Sequence, residues 1–214
     1  NTTLAKILYI RLYKMFALAL QVDKESLLQL EYKYLGERGL EDPERLNFSN
    51  LDLFISAVRQ LVRKQTGRIV PSDSASQLWL AIQTVWDSWD TVTMRDYRTM
   101  QGIDDEMSTA VVVQYMALGN LDENSGTGVL YSRDPVMGKG LSGSFLPQAQ
   151  GEEVVSGEKT TYGLETLSKL NPSLYFELTQ YASQLEKHYG YPIEVEFTIE
   201  HRKLWLLQVR RAVL

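Results

Sequence analysis

Over the first 70 residues apolar side chains return every three or four positions, the period of helices that bury one face. Leu4, Ile7, Leu8 and Leu12 begin a stripe that Phe16 and Leu20 continue, and after Asp23 a second runs through Leu27, Leu28, Leu30, Tyr32 and Leu35 until Gly36. The polar stretch Gly39 to Ser49, with Asp42-Pro43 inside it, reads as a connection. Asn50 is then placed to cap a third helix carrying Leu53, Phe54, Val58, Leu61 and Val62, ended by Gly67. Residues 1–70 are therefore expected to form a small helical subdomain. Ser74 with Gln77 three positions later is a capping-box signature. It predicts one long helix to about Met100, with Trp79, Ile82, Val85, Trp86 and Trp89 as a core-facing stripe.

Beyond Gly102 the period shortens. The β-branched run Thr109 to Met116, then Gly128 to Tyr131, Ser142 to Leu146 and Glu152 to Val155 read as short strands. Between the first two, Gly119 to Gly128 is too rich in glycine and polar residues for regular structure. Helical signals return at Tyr162 to Leu170 and, after Pro172, at Ser173 to His188. Two alternating segments close the chain, Ile193 to Glu200 and Leu204 to Val209, joined by His201-Arg202-Lys203 as a hairpin.

Composition narrows the chemistry. Among 214 residues there are 22 Lys+Arg against 27 Asp+Glu, a net charge of -5, which argues against a general nucleic-acid binder. The absence of cysteine excludes disulfides, thiolate nucleophiles and thiolate metal sites. No apolar run approaches the roughly 18 residues of a membrane span, and no signal peptide is read at the start. The expected location is cytoplasmic. Because the chain opens at Asn1 without Met, a piece of a longer protein is also expected. With only two histidines, His188 at a helix end and His201 in the hairpin connection, a Ser-His-Asp arrangement or a histidine zinc site has little support, and both read as surface residues.

The hairpin is the most informative stretch. A three-residue connection pairs Glu200 with Leu204, which sets Glu196 across from Gln208 and Glu194 across from Arg210. Alternation then puts Glu194, Glu196, Thr198 and Glu200 on one face, and groups Leu204, Leu206, Gln208 and Arg210 on the return strand. A carboxylate, an amide oxygen and a guanidinium side by side suit a hard cation and the phosphate oxygens it accompanies. The same pattern also suits an ordinary half-buried hairpin with a Glu–Arg cross-strand pair. The loop Asp122 to Gly128 has the glycine content to bring backbone amides to an anion, but it matches neither the Walker pattern nor the dinucleotide fingerprint, and a tight turn between two strands is the favoured reading.

Four stretches taken in order resemble the nucleotide-binding domain of the pyruvate phosphate dikinase family. They are Gln77 to Ile82 with Ser88-Trp89; Thr109 to Gln114 and on through Gly119 to Val129; Ala149 to Gly157; and Leu185 to Tyr189 followed by Glu196 to Glu200 and Leu207 to Arg210. The resemblance spans Ser76 to Arg210 and implies an α+β fold. It would be a partial ATP-grasp, with a helical subdomain over 1–70 and, over 71–214, a carboxyl-terminal lobe with a mainly antiparallel sheet. It implies Glu196 and Gln208 as ligands of Mg2+ and phosphate, and Arg210 as the catalytic arginine that stabilises the phosphoryl groups. Gln114, Tyr115 and Met116 would face adenine, with Glu152 and Glu194 as further nucleotide-binding positions. The implied reaction cleaves ATP and passes a phosphoryl group through a histidine on another domain to pyruvate. That requires an amino-terminal ATP-grasp lobe and phosphohistidine and pyruvate-binding domains outside this sequence, and leaves a homodimeric parent open. The chain alone is expected to be inactive. Departures from the family pattern are Glu194 for Asp, Arg202 for Gly, Ser144 for Glu, and a Glu158-Lys159-Thr160-Thr161 segment without the usual arginine. Phosphoenolpyruvate synthase, an antibiotic phosphotransferase, or a non-catalytic nucleotide-binding module are the alternatives.

Overall fold

A computed structural model describes residues 2–36, 48–104, 106–155 and 160–213 of the chain, except the Glu152 and Val155 side chains and those of residues 3 and 48. Most of the expected connection from Gly39 to Ser49, and Glu158-Lys159, lie outside the described residues. The chain divides into two compact units, Asn1–Val113 and Gln114–Leu214.

In the first unit α1 (Thr2–Ala19), α2 (Lys24–Leu35) and α3 (Phe48–Thr66) pack around Ile10, Tyr13, Phe16, Leu27, Phe54, Val58 and Val62. Phe16, Leu27, Phe54, Val58 and Val62 are among the residues expected from the periodicity, but Ile10 and Tyr13 are not, and the expected Leu28, Tyr32 and Leu53 are exposed. Asp23 caps α2 by accepting from the Ser26 N–H at 2.7 Å, and Lys14 pairs with Glu31 across α1 and α2 at 2.6 Å.

The expected long helix is two helices, α4 (Ser74–Ser88) and α5 (Val92–Gln101). Polar side chains divert the backbone at the break: Ser88 Oγ donates to the Val85 carbonyl, Thr91 Oγ1 donates to the Ser88 carbonyl, and Thr91 then caps α5. Asp73, rather than Ser74, caps α4, and Gln77 reaches back to the Pro71 carbonyl instead of closing a capping box. The core reading of the aromatic stripe is also corrected. No residue of α4 is buried; Trp79 and Trp86 are 54% and 46% exposed and meet edge to face, and only Leu80 and Ala81 pack against the helical core.

The second unit is a five-stranded antiparallel sheet with α7 (Glu165–Leu170) and α8 (Pro172–Tyr189) on one face. Its strand order is β3-β2-β1-β4-β5, where β1 is Gly126–Tyr131, β2 Ser142–Pro147, β3 Tyr162–Gly163, β4 Ile193–Glu200 and β5 Lys203–Arg211. The expected strand at Glu152 to Val155 is instead a short helix, α6 (Gly151–Val155), and the helix expected from Tyr162 begins only at Glu165, after β3. The run Thr109 to Met116 forms no strand, because no described strand lies beside it to complete a ladder; Val112, Val113, Tyr115 and Met116 are exposed.

Leu130, Phe145, Val195, Phe197 and Ile199 point to the helices, where Leu167, Leu174 and Leu178 meet them. Two glycines of the expected loop belong to β1 and serve this packing. The Phe145 and Phe197 rings lie parallel, with centroids 6.3 Å apart, and a Cβ on Gly126 or Gly128 would sit 2.5 Å from Phe145 or 2.7 Å from Phe197. Bare backbone is what lets both rings close over β1.

Candidate functional site

The hairpin turn holds two residues, not three: Glu200 pairs with Lys203, and His201 and Arg202 carry φ of 49° and 65°. Two consecutive left-handed residues are the signature of the hairpin turn that matches strand twist. The lost residue is returned by a bulge opposite Glu196/Phe197, where the partner of Phe197 is Leu206 and that of Glu196 is Gln208. The pairings expected from the sequence, Glu196 with Gln208 and Glu194 with Arg210, are therefore present. The face grouping of the return strand is not. The bulge inverts alternation, so Leu204 and Leu206 join the core cluster while Gln208 and Arg210 stay on the face opposite the helices.

That second face is the candidate site. Strand register places Tyr131, Val129 and Thr127 of β1 beside Glu194, Glu196 and Thr198 of β4, with Ser142 and Ser144 beyond on β2. Arg210 Nη2 donates to Glu194 Oε1 at 2.5 Å and lies 3.7 Å from Glu196 Oε1. The Glu194 side chain is 10% exposed and the guanidinium side 54%, so the pair has one buried and one open end. The Glu194 hydrogen bond raises the pKa of Arg210 above its ordinary value, keeping it a fixed cation. Burial, with Glu194 next, raises that of the Tyr131 phenol, which stays neutral. Arg210 thus lies against two carboxylates while about half of its side chain is exposed.

Gln114, Tyr115 and Met116 are exposed. The segment is tied to the hairpin twice: the Leu118 N–H donates to Glu200 Oε1 at 3.0 Å, and the Tyr115 ring lies 5.5 Å from that of Trp205. Trp205, paired with Thr198, shares the site face and carried no sequence signal beyond its apolar character. The Glu152 side chain is outside the description. His188 is exposed at the end of α8.

The glycine-rich loop makes a clamp rather than an open anion cradle. Asp122 accepts from Ser125 Oγ at 2.7 Å and the Asn124 N–H at 2.9 Å, and its other oxygen bonds the His201 ring. Arg202 donates to Asn124 through both its N–H (3.1 Å) and its Nε (2.9 Å), so the turn residue that departs from glycine is held by its side chain. The His201 and Ser125 bonds hold the Asp122 carboxyl below its ordinary pKa of 3.8. Asp23, Asp73, Asp134 and Glu186 are lowered in the same direction by their own hydrogen bonds. A carboxyl depressed in the folded state contributes stability above its unfolded pKa and loses it as pH falls through the folded value. Thermal melts are therefore expected to be level above about pH 5 and to fall steadily below about pH 4. Asp122→Asn is expected to flatten that fall; an identical acid limb would refute the clamp's contribution.

A family model described as pyruvate phosphate dikinase, AMP/ATP-binding domain, matches residues 46–163 and 164–213. The chain belongs to this family. Pyruvate, phosphate dikinase 1, chloroplastic, of Arabidopsis thaliana is 38% identical over 174 residues, covering 81% of this chain and 18% of that protein. The Zea mays protein of the same name is 36% identical over 202 residues, covering 94% and 21%. Pyruvate, phosphate dikinase 2 of Oryza sativa subsp. japonica is 38% identical over 173 residues, covering 80% and 20%. The chain thus spans about a fifth of the length of these dikinases. Among the described residues no helix is long and apolar enough to cross a membrane.

Proposed function

We propose that the sheet face of the second unit opposite α7 and α8 binds Mg-ATP within a longer dikinase, as the carboxyl-terminal lobe of an ATP-grasp domain spanning 71–214, with 1–70 as its helical insert. The observation that carries the reading is the convergence of Glu194, Glu196, Gln208 and Arg210 at one end of one sheet face. Glu194 holds Arg210 by its buried end, so the guanidinium is oriented before ligand arrives. Arg210 then meets phosphate oxygens with a planar fork that lysine cannot supply.

The donor set also fits magnesium. Glu196 and Gln208 are cross-strand neighbours offering one carboxylate and one amide oxygen, and Mg2+ is commonly held by one or two carboxylates plus substrate phosphates. No group of three or more His, Cys, Asp or Glu suited to a metal occurs among the described residues. Bound there, magnesium would neutralise charge on the phosphate oxygens.

In this reading the chain's own residues position and neutralise the triphosphate, while the bond-breaking partners lie elsewhere in the longer protein: an opposing nucleotide lobe, a histidine that accepts the phosphoryl group, and a pyruvate site. Alone the chain binds but does not turn over. Calorimetric titration with a non-hydrolysable ATP analogue is expected to show weak binding that strengthens with magnesium, and Glu196→Ala is expected to remove the magnesium effect. Affinity and magnesium dependence unchanged by Glu196→Ala would overturn the proposal.

A further inference from the structure

Two rows of side chains cross the sheet at the charged end of the site face. In one, strand register sets Ser144, Val129, Glu196 and Gln208 side by side over β2, β1, β4 and β5. In the next it sets Ser142, Tyr131, Glu194 and Arg210 side by side. Neighbouring strands lie about 4.8 Å apart, so Tyr131 is one strand from Glu194 and two from Arg210. Glu196 is on its diagonal, a separation that long and aromatic side chains bridge. The carboxylates of Glu194 and Glu196 and the guanidinium of Arg210 are the charged groups that act on the Tyr131 phenol. Tyr131 is half-buried, whereas Leu130 before it is fully buried among the core residues beneath the helices.

Glu194 commits one oxygen to Arg210, and the Tyr131 hydroxyl makes no hydrogen bond among the described residues. A phenol titrates near 10, so at neutral pH it is an uncharged donor. Such a donor suits this place. Two carboxylates against one guanidinium leave the rows short of positive charge, and polyphosphate oxygens entering there need every donor within reach. A hydrogen bond to an ionised acceptor is roughly twice as strong as a neutral one. The ring also carries its hydroxyl on only two rotatable bonds, so little side-chain freedom is lost when that bond forms.

We propose that the Tyr131 hydroxyl donates a hydrogen bond to the phosphate chain of the bound nucleotide, beside Arg210. The inference rests on the Mg-ATP reading of the same face and adds to it a phosphate-binding residue. Tyr131 lies two positions beyond Val129, where the stretch that resembles the family ends. Arg210 supplies charge and Tyr131 a neutral bond to oxygens of the same chain. Because the contact is with phosphate alone, it is indifferent to the base.

The test isolates the hydroxyl. The whole chain is titrated in magnesium with a non-hydrolysable ATP analogue and, separately, with inorganic tripolyphosphate, both to millimolar concentration. Tyr131→Phe removes only the O–H and keeps the ring in place. It is expected to weaken both ligands alike, about tenfold, and to leave the thermal melt unchanged. Tyr131→Ala is expected to weaken them at least as much. If Tyr131→Phe binds both ligands as tightly as the parent, any loss in Tyr131→Ala belongs to the ring; the proposal is then overturned and the Mg-ATP reading stands. A loss confined to the ATP analogue also overturns it, because the hydroxyl would then be reading the nucleoside. Failure of the parent chain to bind either ligand overturns both readings.

Discussion

Gly128→Ala is expected to destabilise the second unit by about 3 kcal/mol, the upper range for overpacking a filled core, lowering its melting midpoint by roughly 15 °C. The added methyl would meet the Ser144 carbonyl oxygen and lie 2.7 Å from Phe197 Cζ. Neither neighbour is the free end of a flexible chain: one is the backbone of the adjoining strand, the other a ring stacked on Phe145. Relief would require moving β2 or unstacking the rings. Gly151→Ala is the control, since a methyl there would meet only Thr127 Oγ1 at 3.8 Å, an ordinary contact. Thermal melts of both variants check the contrast. Equal midpoints would mean that β1 does not carry the two phenylalanines as described, and that its glycines serve the loop instead.

Arg210→Ala is expected to weaken magnesium-dependent nucleotide binding by about ten- to a hundredfold, the scale of hydrogen bonds to a charged group. Its effect on stability is expected to be about 1 kcal/mol, because the guanidinium is 54% exposed and solvent screens the Glu194 pair. Arg210→Lys is not expected to restore binding: an ammonium satisfies Glu194 but offers no fork to a phosphate. If the proposed parent dikinase is assayed, Arg210→Ala is expected to cost on the order of a hundredfold or more in turnover, as the loss of a donor aimed at developing charge does. Binding that survives Arg210→Ala, with the melt unchanged, would remove this residue from the site.

The pairing of Glu196 with Gln208 was legible in the sequence for a reason with two parts. Counting back from a three-residue turn paired Glu196 with Gln208; the real turn is one residue shorter and the bulge opposite Glu196/Phe197 restores the count. Nothing in the side chains announces that bulge, and so the inward turn of Leu204 and Leu206 was missed. Periodicity found α1, α2 and α3 because each buries a single stripe in a local core. It failed where neighbours decide the outcome. The Thr109 to Met116 run has strand-forming residues but no described strand beside it, and the tryptophans of α4 have helical spacing but no core beneath them. The break at Ser88 to Thr91 depends on hydroxyls competing for helix carbonyls, a local event that a stripe of apolar residues conceals. The Tyr115–Trp205 contact joins residues 90 apart in sequence, beyond the reach of any spacing rule.

The central claim is that nucleotide lies on the sheet face opposite α7 and α8. Backbone amide shifts of the labelled chain, mapped during titration with magnesium and a non-hydrolysable ATP analogue, test it most directly. The expected result is movement along Leu118, Tyr115, Thr198, Glu196, Gln208 and Arg210, with α7 and α8 still. Movement confined to the helices, or none at millimolar ligand, would contradict it.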